Sequence, residues 1–237
     1  MTPFFLLTAL AARPAADIGP GDPIVVTASR EPERRDESPV SATVIDAETL
    51  EALSLPEASD VLRLVPGVSV AVSGPKGSQT QLRIRGAEAN HSLLFVDGIR
   101  FNDPAAGNEA RFELLSSDAL SRVEVVRGPQ SALWGSEALG GVVAVDSADA
   151  RRGTGLSALG EYGSLKSGRG FVQGAAQVGP VGLSAAGGGS GSEGIDELGQ
   201  PGGERDGYWT RFATAKAVAR PLTGLELGLV GHYVQGK

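Results

Sequence analysis

The chain has 237 residues, a formal net charge of −7 and no cysteine. Its 41% hydrophobic and 21% charged residues are ordinary for one or two folded domains, and they exclude wholesale disorder. The acidic balance gives no electrostatic reason to expect nucleic acid as a partner, and the lack of cysteine excludes disulfides and thiolate metal sites.

The first 16 residues have the pattern of a secretory signal peptide. The apolar run Phe4–Ala12 is followed by the small residues Pro14–Ala16, which predicts cleavage near Ala16. No Lys or Arg precedes the apolar run, so a disordered N-terminus or a misplaced start codon is the alternative. No later stretch reaches the ~18 apolar residues of a membrane-spanning helix, so a membrane-embedded part would have to consist of strands.

Residues 17–35 form a polar leader that is rich in proline, glycine and charge. The island Ile24–Thr27 interrupts it, and its β-branched residues suit a segment that adds a strand to an exposed sheet edge. The alternative is that this island is simply the first strand of the following domain.

Residues 36–150 have the pattern of a compact α+β domain. One helix is predicted, because Ser54 and Glu57 have capping-box spacing and an apolar stripe with helical periodicity runs from Ala58 to Val65. Short β-prone runs bounded by turn residues predict the strands. They are Ser41–Ile45, Val68–Val72, Gln81–Arg85, Leu93–Val96, Val123–Val126 and Val142–Val145.

Residues 151–237 are glycine-rich and alternate between apolar and polar positions. Tight turns at Gly179–Pro180 and Pro221–Gly224 lie on one side, and the long polar loop Ser190–Gly207 lies on the other, as in outer-membrane barrels. A soluble β-sandwich is the alternative. The predicted strands are Gly155–Gly163, Gly168–Gly179, Val181–Gly189, Tyr208–Ala219 and Gly224–Val234.

Six motifs in order along the chain resemble those of TonB-dependent outer-membrane receptors. This resemblance, which covers roughly Asp22–Ser147, implies an α+β plug domain followed by antiparallel transmembrane β-strands of an incomplete β-barrel. It further implies a Gram-negative outer membrane as the location, with lipid around the strands and the plug facing the periplasm. The motifs are Asp22–Ala28, Leu82–Gly86, Leu94–Arg100, Val123–Pro129, Ala132–Ser136 and Ala138–Val143.

The resemblance assigns the leader motif as a TonB box that binds the TonB C-terminal domain. It also implies that Arg85 and Arg127 form a latch between plug and barrel by pairing with barrel glutamates, which would lie beyond Lys237. Solvated arginines at strand ends are the alternative. The TonB-box residues are Asp22, Pro23, Ile24, Val25, Val26, Thr27 and Ala28.

Within the family, the resemblance is closest to cobalamin receptors. Cargo would then rest on two plug loops, Ser73–Gln79 and Asn102–Asn108, through amides and small polar side chains. The alternatives are a ferric siderophore as cargo, or surface loops without ligand contacts. The substrate-binding candidates are Ser73, Lys76, Ser78, Gln79, Asn102 and Asn108.

The acidic loop after the third predicted barrel strand resembles the calcium-binding loop of cobalamin receptors. Asp196, Glu204 and Asp206 are the candidate ligands, since hard oxygen atoms suit calcium. Glu204 stands where the family more often has aspartate, and a solvated acidic loop is the alternative. No other cofactor and no catalytic residue is expected.

These predictions describe a non-enzymatic receptor for energy-coupled uptake, with a soluble periplasmic plug-like module as the rival from another class. About five strands cannot close a lumen around a plug, because known barrels use ~8 to 26 strands. The chain is therefore expected to be a fragment, the product of a truncated gene or an incomplete sequence.

Overall fold

The computed structural model describes residues 4–13, 24–25, 33–34, 39–150, 154–196, 199, 203, 205–222 and 225–237. The chain divides into two compact units. The strand unit comprises Met1–Ala15, Val72–Gln79 and Ala148–Lys237, and the α+β unit comprises Ala16–Ala71 and Thr80–Ser147. The tip of the 68–84 hairpin and residues 148–150 thus group with the strand unit, whereas the sequence assigned both to the plug.

The described residues form 17 strands and three α-helices, with short 3-10 helices between some of them. The helices are α1 Ala47–Leu53, α2 Ala58–Leu62 and α3 Ser131–Trp134. The strands are β1 Phe4–Arg13, β2 Ile24–Val25, β3 Glu33–Arg34, β4 Ser41–Asp46, β5 Val68–Val72, β6 Thr80–Ile84, β7 Ser92–Val96, β8 Ile99–Arg100, β9 Asn102–Asp103, β10 Glu109–Ala110, β11 Leu120–Arg127, β12 Gly141–Ser147, β13 Gly155–Tyr162, β14 Gly168–Val178, β15 Val181–Ser192, β16 Tyr208–Leu222 and β17 Leu225–Gly236.

A five-stranded sheet with the order β4-β11-β12-β7-β8 is the centre of the α+β unit. β11 is antiparallel to both β4 and β12, and β12 is parallel to β7. Val123 and Val125 on one face of β11 pack with Val61 and Leu62 of α2, while Val126 on the other face packs against β4. Burial of both faces explains why β11 and β12 are runs of valine rather than alternating segments.

The sequence missed α1 and misplaced its boundary with α2. Asp46 caps α1, because its carboxylate accepts a hydrogen bond of 2.9 Å from the Thr49 backbone N–H. Ser54 ends α1 in a left-handed conformation with φ 47°, and Glu57 precedes α2 without a side-chain cap. The predicted Ser54–Glu57 capping box is therefore wrong, since the two residues belong to different helix ends.

The strand unit contains a six-stranded antiparallel sheet with the order β1-β17-β16-β15-β14-β13. Its strand register places large apolar side chains on one face, where they are exposed, and buried side chains on the other. The five strands predicted after residue 150 are confirmed, with β15 and β16 each extending a few residues further. The exposed apolar residues include Leu156, Val172, Leu183 and Leu229, and the buried ones Ser184, Ala186, Phe212 and Val218.

The segment predicted to be a signal peptide contributes the sixth strand of this sheet. Within residues 1–16, Phe4–Arg13 forms β1 and pairs with β17, from Phe4↔Val234 to Arg13↔Glu226. An apolar segment can satisfy the backbone groups of a sheet edge in this way. Cleavage near Ala16 stays a prediction. None of the described helices is long and apolar enough to cross a membrane.

Candidate functional site

The candidate TonB box lies only partly among the described residues. Ile24 and Val25 form β2, as their β-branched side chains predict, and β2 pairs with β3 through Ile24↔Arg34 and Val25↔Glu33. β2 and β3 thus form a two-stranded sheet apart from the five-stranded one, and the assignment of these residues to a TonB box stays a prediction. Asp22, Pro23, Val26, Thr27 and Ala28 lie outside the described residues.

The two candidate latch arginines lie close together in the α+β unit. A Cβ atom added at Gly67 would lie 3.8 Å from Cγ of Arg85 and 4.0 Å from Cδ of Arg127. The Arg85 backbone N–H donates to the Gly67 carbonyl at 2.7 Å, and Arg85 adopts a left-handed conformation with φ 53°. The Gly67 turn therefore brings together two arginines from distant strands.

Arg127 is held by oxygen atoms of its own unit. Its guanidinium donates to the Pro66 carbonyl at 2.7 Å and to the Thr43 hydroxyl at 3.1 Å. The guanidinium of Arg85 lies over Gly128, with Nη1 only 3.1 Å from where a Cβ would stand. Two neighbouring positive charges that are held in this way favour an anionic partner.

The first candidate cargo loop, Ser73–Gln79, is a tight turn with internal hydrogen bonds. The Ser73 backbone N–H and hydroxyl both donate to the Gln79 carbonyl, at 3.1 and 3.0 Å, and the Ser78 N–H donates to Pro75 at 3.0 Å. The Lys76 ammonium lies 5.0 Å from the ring centroid of Tyr208 at the start of β16. Within the strand unit, this cation–π contact holds the loop tip against a strand, which the sequence did not predict.

The second candidate loop is organised around Asn102. Its side-chain oxygen accepts from the Leu94 N–H at 2.9 Å, and its amide donates to the carbonyls of Ser92 and Asn108 at 3.1 and 2.9 Å. Asn102 is buried and both of its amide hydrogens are used, so it supports the loop from below. Its predicted contact with cargo is untested, and the structure gives it a different role.

Asn108 lies at the surface end of the same loop. It adopts a left-handed conformation with φ 63°, and its side-chain oxygen accepts from Arg100, which also pairs with Glu137 after α3. The side-chain nitrogen of Asn108 is buried and has no hydrogen-bond partner. The sequence missed the Arg100–Glu137 pair, because nothing in the order of the residues indicates that these two positions meet.

The acidic loop places two of the three candidate calcium ligands at one end of a hairpin. The Asp206 N–H donates to the Ile195 carbonyl at 2.9 Å, and the Asp196 carboxylate accepts from the Gly199 N–H at 3.0 Å. Among the described residues, no group of three or more His, Cys, Asp or Glu side chains could hold a metal ion. Glu204 lies outside these residues, so the described geometry does not test the calcium site, which stays a prediction.

Glu193 at the base of this loop is neutralised by basic residues instead. Lys166 and Arg205 contact its two carboxylate oxygens at 2.5 and 2.7 Å. The hydrogen bond from Lys166 and the nearby positive charges lower the pKa of Glu193. The loop therefore begins with an ion-paired acid that remains ionised as the pH falls below neutral.

Residues 34–142 match the TonB-dependent Receptor Plug Domain family. This match covers both arginines, both candidate cargo loops, and the five-stranded sheet except for the last five residues of β12. Over a plug domain that antiparallel strands follow, the chain is thus similar to TonB-dependent receptors, which confirms the predicted fold class. Such receptors lie in the outer membrane, with the plug facing the periplasm.

The chain is similar in sequence to two curated vitamin B12 transporters, both named BtuB, from Vibrio vulnificus. It is 35% identical over 159 residues to that of strain YJ016 and 38% identical over 140 residues to that of strain CMCP6. These alignments cover 67% and 59% of the chain, but only 26% and 23% of the transporters. The chain thus spans about a quarter of the length of these relatives.

Solved receptors share the fold at lower identity. FpvA of Pseudomonas aeruginosa, bound to iron pyoverdine, matches 90% of the chain with a TM-score of 0.74 and 21% identity, over 27% of its own length. The siderophore receptor PiuA of Acinetobacter baumannii matches 86% with a TM-score of 0.67 and 23% identity, over 27% of its length. At this identity the similarity shows the fold alone.

Proposed function

We propose that this protein takes part in the TonB-dependent uptake of cobalamin across the outer membrane and is not an enzyme. The observation that carries the proposal is the 35 and 38% identity to relatives named vitamin B12 transporters. The siderophore receptors resemble the chain in fold at 21 to 23% identity. Identity in sequence reflects shared side chains, whereas one fold can serve several cargoes.

Energy coupling would begin at the TonB box, Asp22–Ala28. β2 is held in the structure by a ladder of two residue pairs. Such a ladder contributes little, since each hydrogen bond has a net value of about 1 kcal/mol. The TonB C-terminal domain can replace β3 as the neighbour of β2 by adding its own strand, and the new ladder then carries the pull to the plug.

The latch and the cargo loops would respond to this pull. Arg85 and Arg127 present two neighbouring guanidinium groups, and carboxylates of barrel glutamates are the partners that satisfy such a pair. Buried Arg–carboxylate pairs are costly to break singly, which suits a plug that stays closed until it is pulled. Cargo would bind on the loop Ser73–Gln79 and on the surface end of the loop supported by Asn102.

Growth of a strain that lacks its cobalamin receptor tests this proposal. Expression of a full-length version of the receptor should restore growth on limiting cobalamin, and deletion of Asp22–Ala28 from it should abolish that growth while binding of labelled cobalamin to the membranes persists. Growth that survives the deletion contradicts the assignment of the TonB box.

Two further outcomes identify the rival functions. Rescue on limiting iron with a ferric siderophore, without rescue on limiting cobalamin, would make the protein a siderophore receptor. Recovery of the chain from the periplasm without detergent would instead make it a soluble plug-like binding module.

A further inference from the structure

The segment that leaves the plug sheet is held against the inner, buried face of the strand unit. The Ser184 hydroxyl of β15 donates to the Ala148 carbonyl at 2.6 Å. The Lys216 ammonium of β16 lies 3.5 Å from the carboxylate of Asp149, and these side chains are only 13% and 4% exposed. Both contacts lie inside the strand unit, and they involve two consecutive residues of the segment.

The strand register shows that these contacts form one surface. Ser184 and Lys216 are directly opposite each other on β15 and β16, so their side chains point to the same face. Gly182 lies on that face two residues before Ser184, and a Cβ there would stand 3.1 Å from Cβ of Ala150. The glycine thus leaves room for Ala150, which is 6% exposed.

Ser147, the preceding residue, is held by the α+β unit. Its N–H donates to the Asp97 carboxylate at 3.1 Å, and its carbonyl accepts from the Ser121 hydroxyl at 2.7 Å. Two successive residues are therefore fixed by different units. A force transmitted along the chain through the five-stranded sheet therefore passes from Ser147 to the strand unit at Ala148–Ala150.

We propose that Ala148–Ala150 form a mechanical anchor, and that Lys216 is its positioning residue. The inference rests on the proposed TonB-dependent function. With the anchor in place, the plug is fixed at its C-terminal end at Ala148, so a force that TonB applies to the leader deforms the plug. Without it, a pull on the plug would first be resisted at the next strand, β13, which begins at Gly155.

The charge pair is the part of the anchor that substitution can remove most cleanly. Removing one partner of a buried ion pair is strongly destabilising for the local structure, because the other charge loses an opposite charge beside it. Lys216→Met keeps most of the apolar stem and removes the charge, so Asp149 and its neighbours should leave the surface. Lys166→Met is the matched control, because Lys166 forms an exposed pair with Glu193 at the opposite end of the strands.

The chain contains no cysteine, so a single introduced thiol reports on the anchor. Ala150→Cys is labelled with a maleimide on the whole chain in detergent, without cargo or TonB. In the Lys216→Met background, labelling should accelerate by at least ~10-fold, because the rate follows the population of the open segment. It should stay slow with Lys166→Met and with Lys216→Arg, which retains the charge. A thiol at the exposed Leu156 should react at the same rate in every background and thus controls for access of the reagent.

Slow labelling of the Ala150→Cys thiol in the Lys216→Met background would overturn the anchor, as would equally fast labelling with Lys216→Arg. The role in transport is measured separately. Lys216→Met should leave the affinity for cobalamin unchanged and lower the uptake rate several-fold relative to Lys166→Met. Unchanged uptake beside fast labelling would refute that role. If the unmodified protein does not bind cobalamin, the proposed function is refuted. The labelling rates would still show whether Lys216 holds Ala148–Ala150 in place.

Discussion

Replacing Asn102 by alanine should loosen the second cargo loop without removing a ligand contact. The substitution deletes three hydrogen bonds of 2.9 to 3.1 Å to backbone groups of β7 and of Asn108. At a net value of about 1 kcal/mol each, their loss costs roughly 3 kcal/mol. Ser92 and Leu94 are at most 1% exposed, so water cannot replace the lost hydrogen-bond partners. Their backbone groups stay unsatisfied, and the loss of stability should therefore be no smaller than this value.

Hydrogen exchange of the peptides that cover residues 92–110 measures this effect. Since each ~1.4 kcal/mol is a factor of ten, exchange limited by local opening should accelerate by about a hundredfold. Asn102→Asp is an informative second variant, because it keeps the acceptor for the Leu94 N–H and loses both donated bonds. Asn108→Gly is the control, since glycine tolerates the left-handed conformation of this residue and the Asn108 side chain supports the loop only at its surface end.

The opposite pattern would refute this reasoning. If Asn102→Ala left the exchange of residues 92–110 unchanged and lowered the affinity for cobalamin, Asn102 would be a cargo ligand rather than a support. If Asn108→Gly loosened the loop as much as Asn102→Ala, the buried hydrogen bonds of Asn102 would not be what holds the loop.

Three further substitutions test the α+β unit by equilibrium unfolding. Gly141→Ala should destabilise the protein by roughly 2–3 kcal/mol, because the new Cβ would meet the Val126 carbonyl oxygen and lie 2.9 Å from Ile84 Cδ1. Gly160→Ala is the comparison, and it should be nearly neutral because the space around Gly160 is open. Asp46→Ala should cost ~0.5–2 kcal/mol at neutral pH through loss of the α1 cap. Hydrogen bonds from Thr49 lower the pKa of Asp46 in the folded state. The stability that ionised Asp46 contributes is therefore present above its unfolded pKa of ~4 and is lost as the pH falls through the lower folded pKa. An Asp46→Asn variant whose stability depends on pH in the same way as the parent's would contradict this. Phe112→Ala, at 2% exposure, should cost ~3–5 kcal/mol, and a loss below ~1 kcal/mol would show that the site is not a packed core position.

Strand positions were the part of the fold that sequence reasoning predicted best. The runs at Val123–Val126 and Val142–Val145 and the five alternating segments after residue 150 all appear as strands. Each depends on short-range features, namely β-branched side chains, two-residue alternation and turn residues at the ends. The sequence did not predict α1 for two reasons. Its N-cap residue, Asp46, lies at the end of a strand, and the seven-residue helix has no long apolar stripe.

The candidate site could be predicted only as far as its motifs. The sequence marked Arg85, Arg127 and Asn102 as noteworthy through a family resemblance. It could not indicate that Gly67 brings the two arginines together, nor that Asn102 is buried beneath its loop. Those facts depend on which strands pair, and pairing between distant segments leaves no trace in the order of a single sequence.

By itself, the sequence determined the local elements of this protein: short strands, their alternation, and an apolar N-terminal segment with strand-compatible residues. Tertiary structure alone decided that β12 runs parallel to β7, that β1 pairs with β17, and that Lys216 meets Asp149. The physical reason is that alternation and turn propensity act over a few residues, whereas partner choice is set by burial summed over the whole sheet.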